Sequence, residues 1–300
     1  MTLSSQSRRI VGKSHGLDNK TGFLEEVRHG SPTSPVLTSS WFKSLRLTMA
    51  TTSTPPMYTD MPLAILPTPQ FETGETDPFT IEASHMTLSH NSFIRGFNSI
   101  YQQAPRVQVT DKADFVEYCL AWHDCVDAHH HYEETELFPN INKACGRTDL
   151  MSTAVNEHVP ARYVATFHGG MERMKAYLQH EGVNFNANEL ITILDSFKDA
   201  LHSHLKAEPP SIVALRQYST ADRPIDILGI ADAAGKKQVN LSFVFNVLPV
   251  FLLNMDTADF EGGMWHDVFP PFKGAVKWVL TKAVPAWHSA RGLTRVIGKE

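Results

Sequence analysis

AHHHYEETELFPNI, residues 128–141, is the stretch whose reading decides the fold. Residues four apart on an α-helix share a face, so His129 and Glu133 lie together. Phe115, Cys119, Trp122 and Val126 before them, and Leu137 after them, continue one line at steps of three and four. That line is apolar and therefore faces a core. It carries an imidazole and a carboxylate to a place where water is scarce, and a buried carboxylate is costly unless it meets a cation. One HxxxE pair on a helix is ordinary surface chemistry. Here the phasing recurs downstream, where Leu190, Leu194, Phe197 and Leu201 lead into His204 and Glu208. Two such pairs in register with large apolar residues point to a metal inside a helical bundle.

Four helices are predicted around these pairs. Helix A, about 82–103, aligns Met86, His90, Ile94, Phe97 and Tyr101 and ends before Pro105. Helix B, about 111–136, follows Thr110 as N-cap, with Asp111 and Asp114 in its first turn. Helix C, about 150–181, has Val164, Phe167, Met171, Met174 and Leu178 on one stripe, with His158 at its edge and a bend expected at Pro160. Helix D, about 187–208, is expected to stop or bend at Pro209 and Pro210, with a short helix at 211–218 beyond. The fold class is all-α, an up-down-up-down four-helix bundle over 82–218. Residues 1–75, rich in Ser, Thr and Pro, read as a disordered leader. Residues 219–300 read as a helical extension packed on the bundle: loop-like over 222–237, apolar over 239–253, turn-rich at FEGGMWHDVFPPF (260–272), and helical over 273–288. The Lys273, Lys277 and Lys282 row with Phe272, Trp278 and Trp287 is read as a lid on the bundle rather than a membrane-facing strip.

His90 and His158 on the remaining helices complete a set of one histidine per helix and two carboxylates, the composition of a carboxylate-bridged dinuclear site. His130 and Glu134 form an overlapping register about 100° round the helix, which suits supporting or surface roles. His85 competes with His90, but only His90 heads the apolar stripe. His123, His131, His168, His180 and His202 read as solvated or supporting, and Tyr101, Tyr132 and Tyr163 as packing residues with satisfied hydroxyls.

This pattern resembles a known family. The string His129-x-x-x-Glu133-Glu134 with Leu137-Phe138-Pro139, a lone histidine in helix A, Glu157-His158 opening helix C and His204-x-x-x-Glu208 on helix D are similar to the hemerythrin-like HHE cation-binding domain, over roughly 84–218. DFEGG (259–263) and FPPF (269–272) are similar to a C-terminal extension of fungal members. The resemblance implies two irons per chain, one held by His90 and His129 and the other by His158 and His204, with Glu133 and Glu208 bridging. It also implies a departure from oxygen carriers, which place a second histidine four residues after the first on helix C, where this chain has Arg162. An arginine cannot ligate iron, so reversible oxygen carriage is not expected.

The rest of the composition narrows the function. A net charge of -5 with 20% charged residues gives no footprint for nucleic acid or anionic membrane. Three cysteines with no CxxC pair exclude a disulfide scaffold and a thiolate zinc site and suit a reducing compartment. The most apolar run, 239–255, is interrupted by Asn246 and Pro249, so no transmembrane segment is expected and the location is read as cytoplasmic. Arg8, Arg9, Lys13 and Lys20 hint at a targeting peptide, but Asp18, Glu25 and Glu26 break its acid-poor pattern. Two expectations follow: a di-iron protein that binds or senses oxygen, reactive oxygen species or iron, or a di-iron oxidase or oxygenase acting on a small organic substrate. The partner in either case is dioxygen or a small molecule. A third, an interaction module that has lost its metal, is opposed by six intact ligand candidates.

Overall fold

The computed structural model describes residues 60–151, 161–240, 243–255 and 257–270. His158, and the expected helix over 273–288 with its lysine row, lie outside the described residues, as do the side chains of Arg162 and Tyr163. Among the described residues the secondary structure is helical, and no helix is long and apolar enough to cross a membrane.

Residues 60–75, expected to belong to a disordered leader, are described and pack on the bundle. Leu63 and Leu66 are buried in the core. Asn98 accepts from Leu63 N at 2.9 Å and donates to Leu63 O at 2.8 Å, and Asn91 treats Leu66 in the same way. Two asparagines seven residues apart on one helix thus satisfy the backbone of an extended segment, a task usually done by a neighbouring strand. A short helix α1 (Pro69–Thr73) follows, capped by the Thr68 hydroxyl.

The bundle helices then form in turn. α2 (Pro78–Gln103) starts four residues earlier than expected, because Asp77 caps the amides of Phe79 and Thr80 and Pro78 occupies the first turn, where its missing N–H costs nothing. α3 (Lys112–Tyr132) does not end near 136. It passes through one wide π-turn (Glu133–Leu137), closed by Phe138 N on Glu133 O, into α4 (Phe138–Cys145), and stops at Gly146 with φ 69°. In a regular helix each step of four residues rotates the side chain by about 40°. The wide turn cancels part of that drift, so Glu133, Leu137, Ile141 and Cys145 all stay buried. α5 (Ala161–Glu181) supplies Phe167, Met171, Met174 and Leu178 to the core.

The expected fourth helix is two: α6 (Ala187–Asp195) and α7 (Lys198–Ala214), parted at Ser196 and Phe197. α7 runs through Pro209 and Pro210 and absorbs the first half of the short helix expected at 211–218, so the prolines do not end it. α2 packs on α3 and α7, and α5 packs on α3 and α7, which closes the ring of four. The extension contributes α8 (Ile227–Gln238), where a loop was expected, and α9 (Leu248–Asn254). The Asp226 side chain caps Gly229 N and nucleates α8. α8 lies on α2, and α9 lies on both α2 and α3.

The buried apolar residues form two main clusters. One contains Phe93, Ile94 and Phe97 of α2, Trp122 and Val126 of α3, and Leu201 and Leu205 of α7. The other contains Phe79, Ala83 and Met86, then Leu137 and Ile141, then Ile212. The chain positions between them are His90 on α2, His129, His130 and Glu133 at the end of α3, and Glu208 on α7, with His204 at the edge. A polar layer divides the core.

Candidate metal centre

In that layer His90 Nε2 lies 3.2 Å from His129 Nε2 and 4.0 Å from Glu133 Oε1, and His129 Nε2 lies 2.9 Å from Glu133 Oε1. One ligand atom from each of these three residues falls within 4.8 Å of the others. The second group is His204 and His130, whose Nε2 atoms are 2.9 Å apart. Glu208 faces both groups: its Oε2 is 3.3 Å from His90 Nε2 and its Oε1 is 3.4 Å from His204 Nε2. The His168 ring, 5.3 Å from the His130 ring between centroids, borders the second group.

The structure therefore brings together five of the six residues singled out from sequence, His90, His129, Glu133, His204 and Glu208; His158, the sixth, is outside the described residues. Sequence reasoning undervalued His130. His130 is buried and its ring meets His204, rather than lying on the surface. The reason is that α3 has a wider buried face than a single stripe. α5 covers its second side, where the Phe167 and His168 rings stand 4.9 and 5.3 Å from the His130 ring between centroids, so two consecutive residues, His129 and His130, can both point inward. The triple histidine run was the available signal. Glu134 is exposed, consistent with its register. His85 stacks on Phe269 at 5.2 Å, and His123 bridges Asp124 and Glu172, both ring contacts at 3.1 Å, away from the centre.

The electrostatics of the layer ask for a cation. Glu133 Oε1 and Oε2, Glu208 Oε2, and Nδ1 of His130 and His204 are buried with no hydrogen-bond partner. Short contacts such as His129 Nε2 to Glu133 Oε1 are near but not aligned for hydrogen bonding. Burial holds the carboxyls of Glu133 and Glu208 well above the usual range, with the neighbouring carboxylates adding to it. Burial also pushes His129 and His204 down to about 4, and His90 and His130 well below their ordinary value. Nitrogens that stay unprotonated and carboxyls that lack donors suit a divalent cation. Donor spacings of about 3 Å are those of adjacent ligands roughly 2.1 Å from a shared ion. The residues fit a metal.

The comparison with family models agrees, matching the hemerythrin HHE cation binding domain over residues 83–209. The chain contains an HHE cation-binding domain. Among curated proteins the chain is similar to the dimeric xanthone biosynthesis cluster protein R11 of Cryptosporiopsis sp. (strain 8999), at 35% identity over 187 residues. That match covers 58% of this chain and 66% of the relative. No solved structure matches the chain. Within the HHE domain, the match begins at Ala83 on α2 and ends at Pro209 on α7, so it encloses the whole polar layer.

Proposed function

We propose that the HHE domain holds two iron ions bridged by carboxylate and that it binds or senses dioxygen, reactive oxygen species or iron. The observation that carries this reading is the placement of Glu208, whose two oxygens approach Nε2 of His90 and of His204 at 3.3 and 3.4 Å. A carboxylate presenting one oxygen to each of two histidine groups is arranged to span two ions. His90, His129 and Glu133 would hold the first ion, and His204 with His130 the second, joined by His158. Ferrous iron with imidazole and carboxylate ligands and an open position supplies dioxygen binding or activation. The protein's part is to exclude water and keep the imidazoles neutral: His90, Glu133 and Glu208 are buried, and among the described ligand candidates the His129 side chain, 12% exposed, offers the largest edge to solvent. Four described imidazoles against two buried carboxylates put little negative charge around the ions, which favours the ferrous state and so binding over oxidation. The three free, buried cysteines suit a reducing cytoplasm.

Elemental analysis of the protein loaded anaerobically with ferrous iron tests this: two irons per chain are expected. One tightly held zinc with no uptake of iron would overturn it. A second reading, an oxidase or oxygenase of a small organic substrate, is favoured by the relative's printed association with a biosynthesis cluster. Continuous oxygen consumption dependent on an added organic substrate would establish it; a single stoichiometric uptake supports the first.

A further inference from the structure

Pro209 directly follows Glu208 in the interior of α7 and is itself buried. A proline has no amide hydrogen. The carbonyl four residues before it, that of Leu205, therefore has no main-chain donor at its regular place in the helix ladder. The His90 ring fills that place from the neighbouring helix, with Nδ1 2.7 Å from Leu205 O. A carbonyl oxygen only accepts, so Nδ1 carries the hydrogen. In a neutral imidazole the other nitrogen is then bare, and it is this Nε2 that faces His129 and Glu208. Which nitrogen of a ligating histidine binds metal is set by the hydrogen bond made by the other.

We propose that Pro209 is a positioning residue: by leaving the Leu205 carbonyl without its helical amide, it dedicates that oxygen to His90 Nδ1 and holds the imidazole in the tautomer whose Nε2 can accept a cation. The plainer account is that two prolines merely shape α7. Pro210 separates the two accounts, because it belongs to the same helix and lacks the same hydrogen, yet it frees the carbonyl of exposed Lys206. The proposal rests on reading the polar layer as a metal centre, so its test begins on the metal-free chain.

The full chain, labelled with 15N-histidine, would be compared as wild type, Pro209→Ala and Pro210→Ala by long-range 1H–15N correlation. The His90 signals are identified by their loss in His90→Gln. Zinc ions, a diamagnetic probe, are then titrated into each protein. The wild type is expected to show His90 as a single Nδ1–H tautomer. Pro209→Ala should show both tautomers and bind zinc roughly tenfold or more weakly, as is usual for loss of a partner behind a ligand. Pro210→Ala should match the wild type in both readings. A Pro209→Ala protein with the wild-type tautomer would overturn the proposal, as would equal shifts in both proline variants. Wild-type protein that takes up neither zinc nor iron would sink the metal reading alone, since the tautomer is read without metal.

Discussion

Glu208 is a liability to the fold whenever no cation is present. Its folded-state pKa is raised by burial, so relative to the unfolded chain it contributes stability only below the ordinary carboxyl range and becomes destabilising as pH rises above it. At neutral pH, Glu208→Gln should therefore raise the stability of metal-free protein, by about 1–3 kcal/mol if the orphaned oxygen is relieved. The same change should cut iron uptake. Chelator-treated melts beside iron titrations check both directions, and a variant less stable without metal would contradict the reading. Glu134→Gln, on the exposed side of the same turn, should alter neither by a measurable amount. The acidic members of the centre were legible in sequence because steps of three and four residues place them on apolar stripes. His130 was not, since an assumed single stripe hides a residue 100° away that becomes buried only when another part of the chain covers the helix. No local pattern reports that cover.

Elements were legible where apolar periodicity defines them and missed where polar side chains do. The four bundle helices were anticipated in order, although the fourth is broken at Ser196 and Phe197. The segment around Leu63 and Leu66 was not, because its contacts run through Asn91 and Asn98, and an asparagine in a helix gives no sign that it will pair with distant backbone. Pro139 is accommodated just after the π-turn, and Pro209 lies inside a helix that it was expected to stop or bend. These corrections carry predictions. Leu66→Ala should cost about 2–5 kcal/mol, the usual range for emptying a core site. A chain beginning at residue 76 loses Leu63, Leu66 and Thr68 together and should melt without a sharp transition; unchanged melting would return this segment to the leader. Where α2 meets α3, a Cβ on Gly96 would stand 2.4 Å from the Trp122 ring, whose Nε1 is already held by Phe93 O. Gly96→Ala should therefore destabilise by about 1–3 kcal/mol despite alanine's better helix propensity, as read by chemical denaturation.

At the scale of the molecule, the polar layer sits between two apolar clusters and the extension closes over one side of it. Phe93 stands 4.8 Å from the His129 ring and 6.0 Å from the Phe251 ring of α9, both between centroids. The Glu261 carboxylate accepts from Thr68 N, Thr68 Oγ1 and Trp265 Nε1 at 2.6–2.7 Å, tying the extension to the segment before α1. A dry enclosure of this kind decides where the protons go when metal binds. At neutral pH the histidines have none to give, because His129 and His204 titrate only near 4 and His90 and His130 lie well below their ordinary value. Glu133 and Glu208, held well above the carboxyl range, are the proton donors. Binding of ferrous iron or zinc should release protons from these carboxyls, one from each at most. Affinity should rise with pH until both carboxyls ionise in the metal-free state. On the acid side, the unfolded chain takes up protons on His129 and His204 near 6.5 while the folded one waits until about 4. Metal-free stability from these groups is therefore full above 6.5 and is lost as pH falls toward 4. Calorimetric titration in two buffers of different ionisation enthalpy measures the released protons directly. Heats that do not depend on the buffer would mean that the carboxyls were already ionised, and the account of the layer as an enclosure waiting for a cation would fail.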